Sequence, residues 1–162
     1  QRPHKSSWAT GAYLPDIKRD TGKIDVVAVI DTSGSISTNT LKQFLGEIRE
    51  IVTSFEAVEL TLIQHDAQVT DFQQFDNPTK RDFKELTFKG RGGTNHIPVF
   101  DRITDEFRED PTAVVFLTDG YTNIPEENPI ERSEILWVLD NYDVGEDTLH
   151  YGTLCRADIA HN

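Results

Sequence analysis

The chain has 162 residues and one cysteine, and its 28 Asp and Glu against 16 Lys and Arg give a net charge of −12. A sequence pI near 4.7 argues against nucleic acid or an anionic membrane as partner, because both would repel so acidic a surface. The length suits one domain burying roughly 70% of its unfolded surface, and a lone Cys155 cannot form an internal disulfide, which points to a reducing cytoplasm.

Residues 1–23 hold five Lys or Arg against two Asp, with Pro3, Gly11, Pro15 and Gly22 spread among polar residues. They are expected to form an extended N-terminal arm ahead of a domain over 24–162. Because the chain opens on Gln1 rather than Met, an upstream region is expected too. No signal peptide or membrane-spanning run is legible.

Residues 24–30 read as a buried strand. The helix that follows the Asp31 loop is the clearest periodic signal. Leu41, Phe44, Leu45, Ile48, Ile51, Val52 and Phe55 share one face, with Ser37, Thr38 and Thr40 as candidate N-caps. A second strand is predicted over 58–64, and a third through Val69, Thr70, Phe72 and Phe75. The link His65-Asp66-Ala67 is too short for a parallel crossover, so the third strand should be an antiparallel edge. A short helix near 79–86 leads to the glycine-rich stretch 90–94. Pro98 sits in the first turn of a helix whose Ile97, Phe100, Ile103 and Phe107 should face inward. Strands are then expected at 112–118, 135–139 and 149–154. Continuous apolar strands alternating with amphipathic helices predict an α/β fold: a doubly wound, mostly parallel sheet with helices on both faces.

The chemistry sits at strand ends. Asp31, Ser33 and Ser35 alternate after the first strand, so their side chains can point the same way, with Gly34 allowing a turn. Thr94 adds a hydroxyl from a flexible loop, and Asp119 a carboxylate after the apolar run 113–117. Ligands in such sheets bind beyond the carboxyl ends of the strands, where strand order reverses. Hard oxygens of this kind select Mg²⁺, Mn²⁺ or Ca²⁺.

These residues match the metal-ion-dependent adhesion site of von Willebrand factor A (VWA) domains: D-x-S-x-S at 31–35, a distant Thr94 and Asp119 before Gly120. The resemblance covers roughly 24–155. It implies a Rossmann-like fold in which the serines and threonine coordinate directly and the aspartates directly or through water. It also implies that an acidic group of a partner completes the sphere. More narrowly, Ser33–Ser37, 92–100, 117–121 and 136–139 resemble the VWA-like domain found C-terminal to metallopeptidase domains that accompany MoxR-type AAA+ ATPases. That implies a partner within such a system. The family's threonine is usually followed by Asp, where this chain has Asn95, and the peptidase motif His-Glu-x-x-His is missing.

Each element also has a plainer reading. Asp31-x-Ser33-x-Ser35 alone could be a turn and N-cap, and Asp119-Gly120 an ordinary turn. Asp66 reads as a hairpin residue or an outer acid near the metal. His65 and His96 read as surface or capping residues, because no partner sits at zinc spacing. Tyr121 and Trp137 read as packing residues. A haloacid-dehalogenase-type phosphatase would need an acid where Ser33 stands, and a serine-hydrolase elbow needs Gly-x-Ser-x-Gly. The expectation is therefore a non-catalytic binding module. The alternatives are a metal-dependent hydrolase, the non-catalytic domain of a larger metallopeptidase, or a purely structural domain of an AAA+ assembly.

Overall fold

Two apolar runs decide the architecture. Every side chain in Val26–Ile30 and Ala113–Leu117 is buried, which a strand achieves only when both faces of its sheet are covered. In the computed structural model, which describes residues 23–156, they form neighbouring parallel strands, β1 (Lys23–Asp31) and β4 (Ala113–Thr118). β2 (Ala57–His65) lies parallel on the other side of β1, with its last residue in register with Asp31. β3 (Val69–Asp76) returns antiparallel at the edge, as its short link dictates. β5 (Glu134–Leu139) and β6 (Thr153–Arg156) continue the sheet in parallel beyond β4. The order is β3-β2-β1-β4-β5-β6, so the chain's direction of travel reverses between β1 and β4. The expected arm over 1–23 falls, except for Lys23, outside the described residues.

Alternate side chains of β1 divide between two cores. Val26, Ala28 and Ile30 pack with α1 (Thr38–Thr53) through Leu41, Phe44 and Ile48. Val27 and Val29 pack with α3 (Ile97–Glu106) through Val99, Phe100 and Ile103. Each such side chain contributes roughly 1.5–3 kcal/mol on burial, so both faces are firmly covered. Ser37 caps α1, its Oγ accepting from Thr40 N at 3.1 Å. The short α2 (Lys80–Lys84) starts with a capping box between Thr79 and Asp82 and buries Phe83.

One boundary and one buried face differ most from expectation. The last strand begins at Thr153, not 149, because the Leu149 N–H closes a turn onto the Gly145 carbonyl. The Tyr151 carbonyl, in turn, accepts from Trp137 Nε1 at 2.7 Å. Ile97 does not face inward: it is 38% exposed, since Val99, Phe100 and Ile103 form the buried stripe and place the first helical residue at the rim. Phe107 lies just past the helix as its C-cap and still packs against the core.

Candidate metal centre

At the tip of β1 the Asp31 carboxylate is fully buried and held from both sides. Ser33 N donates to its Oδ1 at 2.9 Å, and Thr118 Oγ1, the last residue of β4, donates to Oδ2 at 2.6 Å. An aspartate that accepts from the backbone two residues on turns the chain sharply, which carries Ser33 and Ser35 across the strand ends. Gly34 leaves room for this crossing: a Cβ there would lie 3.0 Å from the Arg91 carbonyl, and Gly34 N donates to Gly92 O at 2.9 Å.

The second half of the site comes from β4. Ser35 Oγ donates to Asp119 Oδ2 at 2.6 Å, and Ser33 Oγ lies 3.2 Å from Ser35 Oγ. Asp119 Oδ1 accepts from Tyr121 N at 3.0 Å, while its main-chain carbonyl accepts from Asn141 Nδ2 at 2.8 Å. Gly120 takes the left-handed conformation at φ 85°, and its N–H bonds Thr118 Oγ1 at 3.0 Å. Thr118 thus links both halves. Ser33, Ser35 and Asp119 are joined oxygen to oxygen, and Asp31 joins them through the Ser33 N–H, so four of the five expected ligands share one hydrogen-bond network.

Thr94 is half-buried on a loop fastened to the same place. Arg91 N donates to Thr32 O at 2.8 Å, and the Thr32 hydroxyl bridges the carbonyls of His65 and Lys89. Among the described residues the Thr94 hydroxyl makes no direct hydrogen bond to the other four. Asp66 holds the loop as well as turning the hairpin. Its Oδ1 accepts from Gln68 N at 3.1 Å, its Oδ2 from Gly92 N at 3.1 Å, and its carbonyl from Asn95 N at 3.0 Å. Burial pushes the Asp66 carboxyl up, but these backbone donors outweigh it and hold the group below the usual carboxylate range. Asn95 accepts from Ile97 N at 3.0 Å through its side-chain oxygen. An aspartate there could accept the same bond.

The histidines depart most from the sequence reading. Neither His65 nor His96 is a surface residue: both are fully buried, with Nε2 atoms 3.1 Å apart, and His96 holds the N-cap position of α3 as a capping residue would, though its side chain makes no capping bond. Burial pushes both imidazoles down from their ordinary value, and His65 adds to the effect on His96. Hydrogen-bond direction fixes their tautomers. His65 Nδ1 faces the Asp66 carbonyl at 3.1 Å and must donate, because a carbonyl only accepts. Neutral His65 therefore accepts at Nε2 from His96, which in turn accepts from Thr122 Oγ1 at 2.7 Å. All four ring nitrogens are engaged. The ligand atoms of Asp31, His65 and His96 lie within 4.8 Å of one another, a second constellation that the sequence reading missed. Its one legible sign was His65 at the end of β2, level with Asp31. Trp137 is buried as expected, stacked on Phe116 with centroids 4.2 Å apart. Tyr121 is not: it is 56% exposed, and its hydroxyl reaches Asp143 at 3.1 Å.

The hydroxyl and carboxylate set fits a hard divalent cation. Ser35 can give its hydrogen to Asp119 and still offer oxygen lone pairs to an ion, and all five candidate donors are oxygens. No helix among the described residues is long and apolar enough to cross a membrane.

A family model described as "VWA-like domain (DUF2201)" matches residues 26–156. An uncharacterized protein of Thermotoga maritima is 36% identical over 139 residues, covering 86% of this chain but 30% of the relative. The chain thus spans under a third of that protein. Among solved structures, the conserved hypothetical protein BatB from Bacteroides thetaiotaomicron superposes with a TM-score of 0.60 at 14% identity, covering 85% of this chain and 91% of that one. An aerotolerance-related membrane protein from Bacteroides fragilis gives 0.57 at 15% identity, covering 72% and 67%. Likeness at this identity concerns the fold alone.

Proposed function

The chain belongs to the VWA-like domain family DUF2201, and from that premise we propose a divalent-cation-dependent protein-interaction module. Membership supports an interaction module in general terms. In our reading the working part is one Mg²⁺ or Mn²⁺, or else Ca²⁺, on the hydroxyls of Ser33, Ser35 and Thr94. Asp31 and Asp119 bind it directly or through water. The supporting observation is that Ser33, Ser35 and Asp119 already converge at 3.2 and 2.6 Å from two different strand ends. With neutral hydroxyls as direct ligands and at least one of the two carboxylates held through water, the ion keeps net positive charge and an exchangeable water. A partner's Asp or Glu takes that position. Asp31, gripped by Thr118 and Ser33 N, sets the frame.

We read the site as non-catalytic. Ser33 bonds Ser35 and Ser35 bonds Asp119, and neither serine has an imidazole base, since every ring nitrogen of His65 and His96 is engaged elsewhere. On the sequence resemblance we assign the module to a cytoplasmic AAA+ system of the MoxR type, with the partner on another protein or another domain of its own polypeptide.

Calorimetry with Mg²⁺ and Mn²⁺ tests this. One site should be seen in the wild type and none in Ser33→Ala, and capture of partner proteins should stop in EDTA. Wild-type affinity in Ser33→Ala, or capture undiminished by EDTA, would overturn the reading.

A further inference from the structure

Among the described residues the large apolar side chains left exposed are Ile97, Tyr121 and Tyr142, and each lies within three residues of a candidate ligand or of a residue bonded to one. Ile97 opens α3 three residues after Thr94, and Tyr121 follows Asp119 by two. Tyr142 adjoins Asn141, whose side chain bonds the Asp119 carbonyl. Scattered exposed apolar groups need no explanation, but confinement to the rim of one site marks an interaction surface. In the two loops that carry Tyr121 and Tyr142 the charge is one-sided. Segments 119–130 and 140–152 carry seven carboxylates and no Lys or Arg, with Asp140 and Asp143 on either side of Asn141 and Tyr142.

This creates a conflict. The ion is there to capture a carboxylate, yet the two loops on the Asp119 side repel one, while the cations nearby, Arg91 and Arg156, are engaged with the Ile36 carbonyl and the Val144 carbonyl. We infer that the face takes a partner segment in which the ion-binding Asp or Glu is accompanied by Lys or Arg side chains. These pair with Asp140 and Asp143 and lie over the rings of Tyr121 and Tyr142. The inference rests on the metal reading above and adds to it the chemistry of the partner.

Single exposed ion pairs contribute little, but several like charges acting together steer an approaching cationic segment and reject an all-acidic one. A guanidinium over a tyrosine face is attracted by the ring's quadrupole. The Tyr142 ring already accepts such a neighbour, with Arg156 Cζ 5.4 Å from its centroid. Tyr121, whose hydroxyl donates to Asp143 at 3.1 Å, presents its ring beside that carboxylate. Recognition would then be double: the ion reads the acid, and the rim reads the bases beside it.

The test uses labelled 12-residue Gly/Ser peptides with one central Glu, flanked by two Arg, two Gln or two Glu, titrated by fluorescence anisotropy against the full chain in Mn²⁺. The Arg-flanked peptide should bind about tenfold tighter than the Gln-flanked one and weaken steeply with salt. Asp140→Asn with Asp143→Asn should erase most of that difference, and Tyr142→Ala part of it. Equal binding of the Arg and Gln peptides, or no binding of the Arg peptide up to millimolar, overturns the proposal. Binding that EDTA abolishes but the rim variants leave untouched also overturns it, and leaves the metal reading standing. Binding that needs Asp140 and Asp143 but survives EDTA, and survives Gln in place of the peptide's Glu, overturns both.

Discussion

Ser35 Oγ donates to Asp119 Oδ2 across 2.6 Å, joining the loop after β1 to the loop after β4 at the point where strand order reverses. The bond spans 84 residues of sequence and holds two candidate ligands at working distance before any ion arrives. Removing it should therefore cost more in metal affinity than in stability. Ser35→Ala should lose metal binding by at least about tenfold, since one of five oxygen ligands goes. The metal-free fold should lose only about 0.5–1.5 kcal/mol, because Asp119 keeps its bond from Tyr121 N. Urea melts in EDTA and calorimetry in Mn²⁺ separate the two.

Metal should stabilise the wild type and spare Asp119→Asn. A ligand at a hundredfold excess over Kd adds about 2.7 kcal/mol, which for a domain of this size raises Tm by roughly 4–10 °C. Millimolar Mg²⁺ or Mn²⁺ should produce that rise, and Asp119→Asn should show little of it. The variant should melt no lower than the wild type in EDTA. If it melts well below, the residue is a structural turn and its part in metal binding falls.

Gly120 cannot be replaced cheaply. It has φ 85°, and an added Cβ would lie 2.9 Å from Val144 Cγ1. Gly120→Ala should cost about 1–3 kcal/mol through left-handed strain and the clash. Adding Val144→Ala should restore stability only in part, because the backbone strain remains and the Val144 Cβ still lies 3.0 Å from the added atom. Full rescue would show that only the contacts with the Val144 methyl groups matter.

The sheet was legible because its signals are local. Val26–Ile30 and Ala113–Leu117 announce buried parallel strands, and the link after His65 is too short for anything but an antiparallel return. Asp31, Ser33, Ser35 and Asp119 were legible because acid and hydroxyl groups recur together at strand ends, though each run alone reads equally as a turn, and the structure brings these four into one network. His65 and His96 were not. Each is polar at an element end, and only the register of β2 on β1 and the seat of α3 reveal that both are buried against each other. Tyr121 and Ile97 failed for a related reason: residue type suggests packing, but exposure at the rim is set by the neighbouring loops.

Cys155 lies 3% exposed on β6, and burial, helped by Glu47 and opposed by Arg156, pushes its thiol up to about 12. Since only the thiolate attacks, the native protein should react with a thiol reagent at pH 8 at least about a hundredfold more slowly than the unfolded chain. Fast native labelling would mean that β6 opens readily from the sheet edge.

The most direct measurement of the central claim is Mn²⁺ binding, followed by calorimetry and electron paramagnetic resonance, in the wild type, Ser33→Ala and His65→Gln. One ion per chain should bind the wild type, be lost in Ser33→Ala and remain in His65→Gln. Binding that survives Ser33→Ala at full affinity but disappears in His65→Gln would contradict the account and move the ion to Asp31, His65 and His96.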